Sequence, residues 1–213
     1  MRAAPSCPRC FEPLHAPSPW SSAWRCGVHG DVLPLQPALR PSASALDALI
    51  QRTRVPVWLP WPLPPAWLVT GFAWVGDERS GARAGVVAIS GPSIVDGPAD
   101  MLLVAEEPGV GLGAAYAGLP GPDPGPGFGA GPSHAKLDAC GHPTALWCVE
   151  GADDRAVYVG EALGHWLWAV AWPPEAGVLV ALEELDLRDL RDGALPDLPY
   201  GALTPRLGGE AGS

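Results

Sequence analysis

The sequence predicts an α+β protein: a small cysteine-bearing N-terminal unit followed by an antiparallel-rich, mostly β body with one or two short helices. Three observations predict it. Four Cys and His residues fall in two tight pairs within the first thirty positions, Cys7-Pro8-Arg9-Cys10 and Cys26-Gly27-Val28-His29. Short apolar runs rich in Val, Leu and Trp then recur, broken by Gly- and Asp-rich turns, from residue 67 to residue 172. One segment alone, Ser42 to Arg54, carries a clear helical period.

The paired residues form a Cys-x2-Cys…Cys-x2-His pattern with fifteen residues between the pairs. Two donors three positions apart on a tight turn can face one cation, and backbone N–H groups of such a turn stabilise thiolate. Pro8 stiffens the first turn, and Gly27 and Gly30 free the second. Phe11–His15, Trp20–Arg25 and Asp31–Leu35 have the length for three short strands, so residues 1–40 read as a zinc ribbon. Cys7, Cys10, Cys26 and His29 are the expected ligands of one Zn2+ per chain. Four protein ligands leave no open position, so the expected zinc is structural. A redox CxxC begins a helix, whereas Cys10 is followed by Phe-Glu-Pro-Leu-His-Ala-Pro. His15 competes with His29 for the fourth position but lacks the knuckle spacing.

Residues 41–66 read as a helix and a Pro-rich connector. Ser44 with Asp47 resembles a capping box, and Leu46, Leu49, Ile50 and Thr53 share a face that ends before Pro56. The uncharged run Val55–Val75 is long enough to span a bilayer, but five prolines in its first half remove backbone donors that lipid cannot replace. No transmembrane helix is expected, nor a signal peptide, since no apolar stretch follows Arg2.

Residues 67–205 read as the body. Trp67–Val75 and Arg83–Ser90 flank a turn-rich hairpin connection, and Asp100–Glu106, Thr144–Glu150, Arg155–Glu161 and His165–Trp172 are further strands at spacings that favour antiparallel pairing. His165–Trp172 is apolar on both faces and is placed centrally. Glu175–Glu184 reads as a short helix and Leu185–Leu190 as a strand. Fifteen of the twenty-six positions from 108 to 133 are Gly or Pro, which reads as a mobile surface loop or ligand lid. Residues 206–213 are expected to be a disordered tail.

Charge constrains the function. The chain carries −10 overall, yet Arg2, Arg9, Arg25 and Arg40 against Glu12 and Asp31 leave residues 1–40 at +2 and the remainder at −12. That acidity argues against general binding to nucleic acid or anionic lipid. The 47% apolar content excludes a disordered chain. Gly109-Val110-Gly111-Leu112-Gly113-Ala114 resembles a dinucleotide turn, but Glu106, Glu107 and Pro108 put negative charge where a pyrophosphate would sit. His134, Cys140, His142 and Cys148 lack knuckle spacing, and Cys148 beside Trp147 reads as a small buried hydrophobe. Glu106 and Glu107 adjoin and point to opposite faces of a strand, which weakens them as an acid–base pair. Asp186 to Asp192 alternates in charge and reads as a solvated face with local ion pairs.

Several longer stretches together carry a resemblance: Cys-Pro-Arg-Cys, Trp-Ser-Ser-Ala-Trp-Arg-Cys-Gly-Val-His-Gly-Asp-Val-Leu-Pro-Leu-Gln-Pro, Val-Pro-Val-Trp-Leu-Pro-Trp-Pro-Leu-Pro, and the late Asp-Leu-Arg-Asp…Leu-Pro-Tyr-Gly-Ala-Leu-Thr-Pro-Arg-Leu. Over nearly the whole chain the sequence resembles an uncharacterised, zinc-ribbon-headed family of high-GC Gram-positive bacteria. The resemblance implies a ribbon on an α+β body and no assigned activity. The reading is a cytoplasmic zinc-binding binding or adaptor protein with a protein partner. The first alternative is an enzyme or ligand-binding protein with a site under residues 108–133 and His134, His142 or His165 as acid or base. The second is a nucleic-acid regulator using Arg9, Arg25 and Arg40.

Overall fold

The apolar runs between residues 58 and 189 become the strands of one sheet. The computed structural model describes residues 4–95, 97–182, 185–193 and 197–208. Its elements in chain order are β1 (Trp24–Cys26), β2 (Gly30–Val32), α1 (Ala43–Ile50), β3 (Trp58–Pro60), β4 (Leu68–Asp77), β5 (Gly81–Pro92), β6 (Pro98–Glu106) and α2 (Leu112–Ala117). There follow β7 (Ala135–Ala139), β8 (His142–Cys148), β9 (Ala156–Ala162), β10 (His165–Trp172), α3 (Val178–Leu182) and β11 (Asp186–Asp189). Short 3-10 turns at Pro174–Gly177 and Pro205–Gly208 complete the described chain.

β1 and β2 form a two-stranded ribbon, and the other nine strands form a sheet in the order β3-β11-β7-β8-β9-β10-β6-β5-β4. Its neighbours are antiparallel except β11 and β7, which run parallel. β10 lies between β9 and β6, and Leu167 to Trp172 are all buried. Its alternation divides the core. Leu167, Ala169 and Ala171 pack with α1, β3 and α3 on one face; Trp168, Val170 and Trp172 pack with α2, Leu35 and Leu207 on the other.

Several expectations need correction. Ser42, not Ser44, caps α1: its Oγ accepts the Ala45 N–H at 3.1 Å. Leu46 and Leu49 are buried as the period predicts, but Thr53 lies beyond the helix and bridges to Ala82. The stretch expected to be a mobile loop contains α2, where Leu112, Gly113, Ala114, Tyr116 and Ala117 are buried. Its remainder touches the body at two points: the Asp123 carboxylate accepts the Trp166 Nε1–H and the Gly109 N–H, each at 3.0 Å, and the Phe128 ring packs edge-on against Trp147 and Trp166. The expected disordered tail begins too early, because Leu207 is buried and its carbonyl accepts the Tyr116 hydroxyl at 3.0 Å. Residues 209–213, and Glu183 and Glu184 of the expected second helix, lie outside the described residues.

The charged stretch Asp186–Asp192 is only half a solvated face. Leu187 and Leu190 are buried, and Asp189 is 1% exposed. Asp189 accepts the Val57 N–H at 3.0 Å and meets Arg191 Nη2 at 2.7 Å. Burial raises its carboxyl pKa, but the Arg191 guanidinium and the Val57 and Arg191 N–H groups outweigh burial and hold it below the usual range.

Candidate metal centre

The N-terminal unit has almost no core of its own, and its buried positions converge on sulfur. Cys7 and Cys26 are 0% and 2% exposed. The first pair turns tightly: the Phe11 N–H donates to the Cys7 carbonyl at 2.8 Å and Phe11 takes a left-handed backbone with φ 60°. The second pair sits in the turn between β1 and β2, whose register sets Cys26 opposite Gly30. The Val28 N–H points at the Cys26 sulfur from 3.4 Å.

Cys7, Cys10, Cys26 and His29 bring four donor atoms within 4.8 Å of one another. Cys7 Sγ and Cys26 Sγ each lie 3.6 Å from His29 Nδ1, and Cys10 Sγ lies 3.6 Å from Cys26 Sγ. Tetrahedral ligands with metal–sulfur bonds of about 2.3 Å and metal–nitrogen bonds of about 2.0–2.1 Å stand roughly 3.5–3.8 Å apart. The donors fit a single four-coordinate ion and are too far apart for a disulfide. His15 stays outside the cluster, its backbone paired with Arg25.

The thiols are unequal. Burial pushes Cys7 up to about 12; the Arg9 N–H opposes it, and the neighbouring Cys26 and Cys10 thiols add to it. Burial raises Cys26 too, but the His29 and Val28 N–H groups and the His29 ring bring it down to about 6. A cation among these sulfurs favours thiolate at all of them.

The unit is fastened to the body. Arg9 Nε and Nη2 donate to the Val110 and Gly109 carbonyls at 3.1 and 2.6 Å. The Phe11 and Tyr116 ring centroids are 5.2 Å apart. Residues 34–39 run beside β4, with the Gln36 and Leu39 N–H groups on the Trp74 and Phe72 carbonyls at 2.9 and 2.8 Å. A family model matches residues 1–207, that of a family of unknown function, DUF6758. The chain belongs to it. No curated protein and no solved structure matches.

Elsewhere in this DUF6758 protein the other candidate sites do not assemble. Strand, glycine turn and helix do follow one another at residues 98–117, but the helix N-terminus is already filled. The Glu106 carboxylate, 0% exposed, accepts the Leu112 and Gly113 N–H groups at 2.8 and 3.1 Å. Burial pushes its pKa up to about 8 against those hydrogen bonds. A side chain at position 113 would enter the Trp168 indole, its Cβ 2.3 Å from Nε1, so glycine is required by close approach. Glu107 pairs with Arg83 instead.

His134, Cys140, His142 and Cys148 form no metal cluster among the described residues. Cys148 is exposed, which corrects the buried reading; its N–H donates to His134 Nδ1 at 3.0 Å. His165 Nδ1 faces the Leu163 carbonyl at 2.9 Å. A cleft of about 930 Å3 opens between the N-terminal unit and the β4–β5 hairpin, lined by Trp24, Arg52, Arg54, Trp74 and Arg79. It lies away from residues 108–133. Sequence reasoning had no signal for Arg155, Trp172 or Arg206, which meet Arg9 across the fold. Among the described residues no helix is long and apolar enough to cross a membrane.

Proposed function

We propose that this protein is a cytoplasmic binding or adaptor protein whose N-terminal zinc ribbon is held by one structural Zn2+ per chain. The observation that carries the zinc reading is the 3.6 Å spacing of the Cys7, Cys10, Cys26 and His29 donors. Three sulfurs and one imidazole in tetrahedral spacing suit zinc, and a full set of protein ligands leaves no place for substrate. The ion's work is then mechanical: it fixes the Arg9 and Phe11 side chains against the body. A protein partner is supported by Trp20, 95% exposed in the turn bracketed by Ser18 and Ser21, and by Val28, 76% exposed between Cys26 and His29. Exposed tryptophan is a frequent anchor of protein interfaces.

The ligand-binding alternative gains from a cavity walled partly by Tyr116 and Leu119, within the 108–133 stretch. The nucleic-acid reading loses support, because Arg9 is engaged by carbonyl oxygens and Arg25 lies 3.5 Å from Asp31. None of His134, His142 and His165 borders the clefts described.

Metal analysis of chain purified without chelator tests the zinc reading. One zinc per chain is expected, and Cys26→Ser should lose it. Full stoichiometry in Cys26→Ser would falsify the ligand assignment.

A further inference from the structure

Three arginines far apart in the chain meet at one cavity. Arg9 leaves the first knuckle, Arg155 precedes β9 and Arg206 lies in the C-terminal 3-10 turn. All three line a space of about 370 Å3 between the N-terminal unit, α2 and the end of β10. That volume lies within the range of small-molecule sites, about 300–1,000 Å3. Two of them approach the Trp172 ring, its centroid 5.0 Å from the guanidinium carbon of Arg155 and 5.0 Å from that of Arg206. These side chains are only 11% and 24% exposed. A guanidinium withdrawn this far from water needs anionic or carbonyl partners.

The partners present are incomplete. Arg155 places Nε on Asp154 at 2.5 Å and Nη1 on the Tyr116 carbonyl at 2.6 Å. Arg9 uses Nε and Nη2 on backbone carbonyls, which carry no charge. Arg206 reaches Asp100 only at 3.6 Å, through Nε. Among the described residues, Arg155 Nη2, Arg9 Nη1 and both Nη atoms of Arg206 have no hydrogen bond. Trp172 is 4% exposed, and its Nε1–H has no hydrogen-bond partner either. Asp154 is held below the usual carboxylate range chiefly by Arg155, and the nearby indole contributes more weakly without closing a hydrogen bond. Arg155 and Arg206 face the carboxylates Asp154 and Asp100, and Arg9 also borders a neighbouring space beside Asp31 and Glu107. The walls between them include the Phe11 and Tyr116 rings.

We propose that this cavity binds a small oxyanion carried on a flat apolar body, an aryl phosphate or aryl carboxylate. The oxyanion takes the unused Nη N–H groups of Arg206, whose planar fork matches two oxygens at once. The flat body lies along Phe11, within reach of the Trp172 edge. This inference deepens the ligand-binding alternative and does not depend on the identity of the metal.

Calorimetric titration of the metal-loaded chain with phenyl phosphate, benzoate and inorganic phosphate is the test. Metal content is measured on the same sample, so a failed zinc assignment and a failed cavity are read separately. Saturable one-to-one binding is expected for phenyl phosphate or benzoate, tighter than for inorganic phosphate; the better aryl probe identifies the head group. Arg206→Gln should weaken binding about tenfold or more, the loss of a charge-assisted pair. Arg206→Lys should fall between, and Arg79→Gln, in the separate cleft, should bind as the parent does. In the parent chain the Trp172 Nε1–H NMR signal should move on saturation. No saturable binding of any probe at millimolar concentration, an unmoved Trp172 signal, or an equal loss in Arg79→Gln would overturn the proposal. Parental affinity in Arg206→Gln would overturn it too.

Discussion

Of the described residues up to position 40, only Cys7, Pro8, Cys26, Pro34 and Leu35 are buried, whereas β10 alone buries six residues in succession. Both regions are parts of one structure, but they are stabilised differently. The body excludes water from both faces of a sheet. The N-terminal unit buries sulfur where a domain buries hydrocarbon, so an ion held by those sulfurs would carry much of its order. One chain can therefore lose structure at one end while keeping it at the other.

Removing the metal should separate the two regions most. Structural zinc contributes on the order of 10 kcal/mol of binding free energy to such units. With chelator, or in Cys26→Ser, hydrogen exchange should become rapid across residues 5–35 while β5, β6 and β10 stay protected. Equal loss in β10 would erase the contrast. Mild acid should act like chelator, because thiolates must be deprotonated to bind.

The converse perturbation is smaller. Leu103 is 2% exposed in the core shared with α1 and α3, and Leu103→Ala should cost about 2–5 kcal/mol in denaturant unfolding. Metal stoichiometry should not change.

Arg191→Met strands the Asp189 carboxylate and should cost about 1.5–3 kcal/mol. The folded Asp189 pKa lies below the ordinary value, so its stabilisation is present above the unfolded pKa and is lost as pH falls through the folded one. The variant should show a shallower acid-side loss in thermal melts. Glu106 has the opposite sign. Its folded pKa of about 8 exceeds the ordinary value of 4.5, so the folded state holds an extra proton between them and stability falls as pH rises across that window. Glu106→Gln should flatten that slope.

Legibility in the sequence divides along the same line. The four donors were readable because coordination chemistry fixes their local spacing, two residues between partners in each pair. β10 was readable because its apolar side chains occur at every position. α2 was not: Gly109, Gly111 and Gly113 read as loop, and the helix depends on a carboxylate from the preceding strand and on an indole 55 residues later in β10 that only glycine can approach. β7 passed unnoticed although Ala135, Leu137 and Ala139 alternate with Lys136 and Asp138, a period-2 signal in a very short run. The Arg9–Arg155–Arg206 cavity left no local pattern because its parts come from three distant segments.

Residues 34–39 lie along the outer edge of β4. Open strand edges are templates for pairing between molecules, and this one is covered by the segment that leaves the second knuckle. A chain starved of its ion would lose that cover over part of the edge and present it to its neighbours. If the four donors hold an ion, metal-depleted protein should sediment as larger species than the loaded form.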